Sequence, residues 1–257
     1  MSINQEEQTP TKDLVSSSGW DSTHEGYLRR ADRKSSWKQR MWWPLDAMAR
    51  RMVGDGARVI EVGCGGGRML ERVHHVRPGC QLFGIDYSEQ GITAAKQYLD
   101  AHDVPVELSV ADMFTFEPAQ PFDVAFSAGL VEHFEDPSEA IAQHRRFVRP
   151  GGQVAVSVPN FAHPVVRRYL ERFSPETLRT HNLSIIDPNA LAQAMKKAGL
   201  TGITVENFGG PWFVAPSEPS LLGTGLRKIL PLVHLLSQPL GGMLGAGHFL
   251  ATGLRAE

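Results

Sequence analysis

The sequence predicts an α/β fold with a doubly wound, mostly parallel sheet of seven strands and helical cap insertions. Two observations predict it: short apolar runs alternate with segments of helical periodicity, and a cluster of glycines follows the first run. Such alternation is typical of strand–helix–strand units that build a parallel sheet with both faces covered. The predicted strands cover residues 58–62, 81–85, 106–110, 122–127, 153–158, 203–208 and 248–254.

The helices between these strands have recognisable starts and stops. Met69 opens an apolar pattern directly after the glycines, and Ser88 is placed to cap the helix that follows the second strand. Pro137 begins a further helix, and the turn at 149–152 ends it and leads into the fifth strand. A last helix is expected over 188–199.

Composition describes one large domain with insertions. The chain has 257 residues, a net charge of -2 and 42% hydrophobic residues, so it shows no global affinity for nucleic acid, and the only marked basic region is 29–51. The two cysteines, Cys64 and Cys80, form no disulfide framework and no zinc spacing. We therefore predict no metal, no nucleic-acid partner and a cytoplasmic location, and leave the oligomeric state open.

The chain divides into three predicted parts. Residues 1–18 are polar and predict a disordered leader, and residues 19–53 predict an N-terminal helical cap, in which Trp37, Met41, Leu45, Met48 and Met52 fall at helical spacing. Residues 54–257 form the main domain, with insertions at 161–187 and 211–246. The uncharged stretch 229–254 is long enough to span a bilayer, but its prolines and glycines favour a helical cap and a final strand.

The glycine cluster is the predicted ligand loop. Gly63, Gly65 and Gly67 follow a strand that carries Glu61, and glycines at the end of a strand let backbone approach a ligand closely. In a doubly wound sheet, ligands bind beyond the carboxyl ends of the strands. The loop fails the dinucleotide pattern, because Arg68 occupies the sixth position counted from Gly63, so a nicotinamide-dependent oxidoreductase is poorly supported.

Acidic residues follow the next two strands. Asp86 lies about twenty residues beyond the glycines, where a carboxylate can accept hydrogen bonds from a ribose diol. Asp112 precedes Met113, and this pair could meet the amine and the face of an adenine. The stretch 127–133 follows the fourth strand and ends at His133.

With these residues in place, the chain resembles the class I S-adenosylmethionine-dependent methyltransferases of the small-molecule type. The stretch 59–67 is similar to the family's first motif, 84–88 to its second, 111–113 to its third, and 122–127 with 131–134 to its fourth; 149–153 resembles the turn before its fifth strand. The resemblance implies a sheet in the order 3-2-1-4-5-7-6 with an antiparallel seventh strand. It also implies S-adenosylmethionine as cofactor, held by Glu61, Gly63, Cys64, Gly65, Gly67, Asp86, Tyr87, Asp112, Met113 and Ser127.

Two histidines are candidate catalytic residues. His133 follows the fourth strand, beside the expected methyl group, and an imidazole titrates near neutral pH, so it is the first candidate for a general base. Glu132 and His133 could instead only shape the cofactor pocket. His181, in the insertion after the fifth strand, is the second candidate. Candidate substrate-binding residues are the aromatics Trp20, Tyr27, Phe161 and Trp212.

Three functions remain open on the sequence. The leading one is methyl transfer to an oxygen or nitrogen of a small molecule, in specialised-metabolite, quinone or glycan biosynthesis. The second is a cofactor-binding protein of the same fold without turnover. The third is methylation of a lipid-linked acceptor with peripheral membrane contact, because the insertion around 221–244 is strongly apolar.

Overall fold

The predicted α/β architecture is confirmed in a computed structural model, which describes residues 13–15, 20, 43–210, 213, 225, 228–230, 232–233, 236 and 247–257. Seven strands form one sheet in the order β3-β2-β1-β4-β5-β7-β6. The strands are β1 Arg58–Val62, β2 Gln81–Asp86, β3 Glu107–Val110, β4 Phe122–Ala128, β5 Val148–Pro159, β6 Leu200–Phe208 and β7 His248–Arg255.

Among the described residues, 228–230, 232–233 and 236 are helical, and seven further α-helices have defined bounds. They are α1 Trp43–Met52, α2 Arg68–Val76, α3 Glu89–Asp100, α4 Pro137–Phe147, α5 Pro164–Phe173, α6 Pro175–Arg179 and α7 Pro188–Lys197, with short 3-10 turns at Val131–His133 and Leu183–Ile185. Their apolar faces cover the sheet on both sides. One core cluster takes residues from α1, α2 and α3, and the other takes residues from α4, α5 and α7.

The central strand shows how alternation builds the two layers. Val59 belongs to the cluster beneath α1–α3, whereas the next residue, Ile60, belongs to the opposite cluster, and both side chains are fully buried. Successive side chains of a strand point to opposite faces, so one apolar run supplies both cores.

The strand directions bring several carboxyl ends to one edge of the sheet. We call it the binding edge, because ligands bind beyond the carboxyl ends of the strands in doubly wound sheets. Strands β1 to β5 run parallel, so their carboxyl ends share this edge, and β7 runs antiparallel to both β5 and β6. The pairs Pro159–His248 and Phe208–His248 join the ends of β5 and β6 to the start of β7. The long connection between β6 and β7 therefore leaves and re-enters the sheet at the binding edge.

Some boundaries differ from the sequence prediction. The fifth strand begins at Val148 rather than at residue 153, because Phe122 pairs with Val148 and Val124 with Gln153, which leaves the predicted turn as a bulge inside the strand. The connection 161–187 contains helices α5 and α6. Asp13 lies in the segment predicted as a disordered leader and forms an isolated antiparallel bridge with Phe134.

The cap regions are only partly described. Met48 and Met52 are buried in α1, as the helical stripe predicts, while Trp37, Met41, Tyr27 and Trp212 lie outside the described residues. Within the part of the chain that the structure describes, no helix has both the length and the apolar character needed to cross a bilayer.

Candidate active site

The glycine loop joins β1 to α2 and is tied to the neighbouring strand by its backbone. The amides of Gly63 and Cys64 both donate to the carbonyl of Ile85, at 2.8 and 3.0 Å. Gly63, Gly65 and Gly67 have φ values of 69°, 46° and 72°, a region that side chains with a Cβ rarely adopt. The alternating glycines are thus required by the backbone path of the loop.

Asp86 fixes the loop from the end of β2. One carboxylate oxygen accepts from the amide of Gly65 and the other from the amide of Ser88, both at 2.9 Å. Ser88 caps α3 as predicted, since its hydroxyl accepts from the amide of Gly91 at 3.1 Å. Asp86 is therefore not needed as the helix cap, and its buried carboxylate lies at the binding edge.

Two adjoining cavities open at this edge, of about 480 and 170 Å³. They share four lining residues, which are Gly63, Asp86, Tyr87 and Leu130. The larger cavity continues past Asp112, Met113 and Phe134, and the smaller one follows the glycine loop to Arg68. Together the two cavities extend from the glycine loop to the carboxyl ends of β2 and β3.

The cavities have an acidic lining. Among the described residues they carry four carboxyl groups, those of Asp13, Glu61, Asp86 and Asp112, against the single guanidinium of Arg68. Burial is the main cause that raises the pKa of Glu61 well above its usual value, with repulsion from Asp86 adding to it and a backbone hydrogen bond from Leu70 opposing it. One oxygen of Glu61 has no hydrogen-bond partner in the described structure. Such a site favours a cationic ligand.

Not every predicted cofactor residue lines a cavity. Cys64 lines the smaller one, and burial raises the pKa of its thiol. Gly67 is the residue immediately before α2, and a Cβ there would lie 2.8 Å from Leu99, so this glycine is required for packing. Ser127 is fully buried in β4 and lines neither cavity.

The two predicted histidines lie together. Their ring centroids are 4.2 Å apart. The two rings come from distant parts of the chain, and Nδ1 of His133 donates to the carbonyl of Thr180, the residue before His181, at 2.7 Å. Burial lowers the pKa of His133, and burial together with the neighbouring His133 lowers that of His181 to about 3. Both rings are therefore neutral at neutral pH.

Two of the predicted substrate aromatics border this pair. The ring of Trp20 lies edge-on to His133 at 4.8 Å, and the ring of Phe161 lies 5.0 Å from His181. Trp20 also lines the smaller cavity and donates its indole N–H to Asp13 at 3.1 Å. The histidine pair thus lies next to Trp20 and Phe161, and Trp20 connects it to the smaller cavity.

Sequence reasoning misses two features of the site. It treats Glu132 only as a residue that shapes the pocket, yet the Glu132 carboxyl is fully buried, and burial raises its pKa to about 8. It places the segment 13–15 in the leader, yet Leu14 donates its amide to the His133 carbonyl at 2.7 Å, and Asp13 and Val15 line the larger cavity. The local sequence of 13–15 carries no binding signal.

A seven-stranded sheet in this order, with a glycine loop and acidic strand ends at one edge, is typical of the class I S-adenosylmethionine-dependent methyltransferases. A family model described as a methyltransferase domain matches residues 29–205. The chain belongs to this methyltransferase-domain family, and it is an S-adenosylmethionine-dependent methyltransferase.

Individual relatives agree with this assignment. A ubiquinone biosynthesis O-methyltransferase from Aromatoleum aromaticum is 32% identical over 165 residues, which cover 61% of this chain and 69% of the relative. A trans-aconitate 2-methyltransferase from Azoarcus is 28% identical, with coverage of 66% and 62%. A similar solved structure is phosphoethanolamine N-methyltransferase 2 from Haemonchus contortus, in complex with phosphomonomethylethanolamine and S-adenosylhomocysteine. The match has a TM-score of 0.61 at 17% identity and covers 95% of this chain and 61% of the other, which shows a common fold.

Proposed function

We propose that the protein transfers the methyl group of S-adenosylmethionine to an oxygen of a small-molecule acceptor. The observation that carries the proposal is the acidic lining of the two cavities around the glycine loop. S-adenosylmethionine is a sulfonium with an ammonium group, so carboxylates favour it, whereas they would repel the pyrophosphate of a dinucleotide.

The residues of the cavities fit the parts of this donor. Glu61 has an unpartnered buried oxygen in the smaller cavity, which suits the ammonium of the methionine part, beside the backbone of Gly63, Cys64 and Gly65. Asp86 borders both cavities and suits the ribose hydroxyls. Asp112, Met113 and Tyr87 would then surround the adenine. Gly67 and Ser127 would support the loop and strand without touching the donor.

Calorimetry tests the donor directly. We expect S-adenosylmethionine and its demethylated product to bind with one molecule per chain, and NAD to show no heat of binding. Binding of NAD in preference to S-adenosylmethionine would overturn the proposal. A methyl transfer assay on candidate acceptors, read as a mass increase of one methyl group, then separates an enzyme from a binding protein without turnover.

An oxygen acceptor is supported by the residues beside the donor cavity and by the name of a relative, an O-methyltransferase. Methyl transfer from a sulfonium is an in-line displacement, in which correct placement of the nucleophile is worth effective molarities of about 10⁵–10⁸ M. A hydroxyl must also lose its proton, and a positioned base contributes about 10²–10⁴-fold.

We assign activation of the acceptor to His133, with His181 as its neighbour and Trp20 and Phe161 as the walls of the acceptor site. Since Nδ1 of His133 donates to the Thr180 carbonyl, Nε2 is the nitrogen that can act on the acceptor. We expect His133→Ala to lower turnover by at least about 10²-fold while the affinity for S-adenosylhomocysteine stays within about twofold of the parent. Unchanged turnover would remove His133 from the mechanism.

A lipid-linked acceptor is the second candidate, and one observation favours it. Ile229, Leu232, Val233 and Leu236 follow helical spacing and are exposed by 51%, 56%, 36% and 61%. They belong to the connection between β6 and β7, which starts and ends at the binding edge. An exposed apolar helical face in this connection suits contact with a lipid surface. Absence of co-sedimentation with liposomes, and no effect of lipid on the rate, would count against it.

A further inference from the structure

A buried carboxyl and two histidines meet beside the donor cavities. One ligand atom each from Glu132, His133 and His181 can be chosen so that all three lie within 4.8 Å of one another. Two imidazoles and one carboxylate form a donor set that suits divalent cations of the zinc and iron type. No short sequence spacing signals the group, because His181 comes from a different segment of the chain than the other two residues.

The carboxyl of Glu132 is the strongest evidence that this cluster binds something. Its side chain is fully buried, and neither oxygen has a hydrogen-bond partner in the described structure. None of the ion pairs found among the described residues includes it. Buried carboxyl groups are ordinarily paired, hydrogen-bonded or bound to metal, because burial without a partner is unfavourable. A cation between the two histidines would satisfy it.

His133 has the orientation that metal-binding histidines usually have. Its Nδ1 donates to a backbone carbonyl, that of Thr180, at 2.7 Å, which leaves Nε2 with the lone pair. A ligating imidazole almost always donates its other N–H to a carbonyl or a carboxylate in this way, which holds the ring in place.

The backbone around His181 is held against the same turn. Asn182 donates its amide to the Glu132 carbonyl at 2.6 Å, and its side chain donates to the carbonyls of Phe134 and Glu135 at 3.2 and 3.1 Å. With the Thr180 bond to His133, residues on both sides of His181 are fixed to the segment that carries Glu132 and His133. The three side chains therefore lie on backbone segments that are hydrogen-bonded to each other.

We propose that Glu132, His133 and His181 bind one divalent cation of the zinc class at the acceptor end of the active site. The inference rests on the proposed function for its chemical role. Three protein ligands leave a coordination position for the acceptor hydroxyl, and a bound cation lowers the pKa of that hydroxyl. The hydroxyl proton passes to solvent, the oxygen forms a bond to the methyl carbon, and the carbon–sulfur bond breaks with its electron pair left on sulfur.

The role of His133 becomes more specific in this scheme. Its Nε2 is a ligand, and the cation performs the activation that the free ring would otherwise perform. Trp20 and Phe161 would then border the cation on its outer side, where an aromatic acceptor could be held.

Direct titration of the chelator-treated, tag-free protein with Zn²⁺ tests the site without any use of activity. We expect calorimetry to give one Zn²⁺ per chain, and Co²⁺ to give the visible absorption bands of a site with nitrogen and oxygen ligands. Glu132→Gln and His181→Gln should each weaken Zn²⁺ binding by more than about 10–100-fold. In metalloproteins generally, a loss of that size follows when a residue that only hydrogen-bonds to a metal ligand is mutated. Binding that is absent, or that both variants leave unchanged, would overturn the inference.

A matched control accounts for stray binding to surface histidines. His75 is exposed on α2, so His75→Gln should leave the affinity for Zn²⁺ at that site unchanged. If His75→Gln abolished the measured binding, the proposed site would be wrong. Circular dichroism and thermal unfolding show that each variant is folded, and S-adenosylhomocysteine binding should persist in all of them.

The same samples separate this inference from the proposed function. Methyl transfer by the metal-free enzyme at its full rate would refute the cation while leaving the methyltransferase proposal intact. Tight, ligand-dependent Zn²⁺ binding in a protein that fails to bind S-adenosylmethionine would support the cation site and refute the proposed donor.

Discussion

At the scale of the residue, Asp86 has a structural role in the glycine loop and a proposed role in binding the methyl donor. Its carboxylate oxygens hold the amides of Gly65 and Ser88, and the same group borders both cavities. We expect Asp86→Asn to weaken binding of S-adenosylhomocysteine by about 10–150-fold, because a charge-assisted hydrogen bond is worth about 1.5–3 kcal/mol. Calorimetry measures the loss. Asp100→Asn, an exposed change on α3, is the control, and an Asp86→Asn affinity equal to that of the control would contradict the assignment.

Gly67 and Gly56 have nearly equal φ angles but different surroundings, so they distinguish backbone strain from steric crowding. Gly67 has φ 72°, and a Cβ added to it would lie 2.8 Å from Leu99, whereas Gly56 has φ 69° and a Cβ there would meet no atom within 4 Å. Alanine in the left-handed region costs about 1–2 kcal/mol, and an overpacked contact adds about 1–3 kcal/mol. We therefore expect Gly67→Ala to lower the free energy of unfolding more than Gly56→Ala. Denaturant unfolding measures both variants, and equal losses would show that Leu99 moves aside freely.

At the scale of the element, the start of α7 depends on one side chain. Asp187 accepts hydrogen bonds from the amides of Asn189 and Ala190 at 2.9 and 3.0 Å. We expect Asp187→Ala to reduce the free energy of unfolding by about 1 kcal/mol, and Asp187→Asn, which keeps a capping oxygen, to cost much less. Because α7 packs on β6, away from the glycine loop, neither variant should change binding of S-adenosylhomocysteine. A loss of binding in both variants would show that α7 affects the donor site.

Elements with a local signal are predictable from the sequence. Strand β1 is predicted to the residue, and Ser88 is identified as a cap, because alternation and capping depend on neighbours in the chain. The order of the strands comes from the family resemblance, since periodicity cannot say which strands pair. The early start of β5 escapes prediction because the bulge at 149–152 has the composition of a turn.

The proposed acceptor end of the site is predictable only in part. His133 and His181 stand in the sequence as separate candidates, and their proximity depends on how the segment after β5 folds back over the turn that follows β4. The burial of Glu132 has the same origin. Residues 13–15 give no signal, because a single bridge to Phe134 requires no apolar pattern.

At the scale of the whole molecule, stability against acid depends on a buried histidine remote from the site. His144 is fully buried in α4, where its Nδ1 donates to the Ala140 carbonyl at 2.8 Å and its Nε2 has no partner in the described structure. Burial lowers its pKa from 6.5 to about 4, although the hydrogen bond to Ala140 opposes the shift. The unfolded chain therefore binds a proton at this histidine between about pH 6.5 and pH 4, whereas the folded protein does not.

The sign of the pH dependence follows from that difference. The contribution of His144 to stability is fully present above pH 6.5 and is lost as the pH falls towards 4. Since each pKa unit corresponds to about 1.4 kcal/mol, we expect this residue to remove about 2 kcal/mol from the free energy of unfolding between about pH 7 and pH 5. Denaturant titrations should show a shallower decline for His144→Leu than for the parent over this interval. The control variant His75→Gln keeps His144 and should decline like the parent. A decline of His144→Leu that runs parallel to that of the parent would mean that His144 is protonated without loss of the fold.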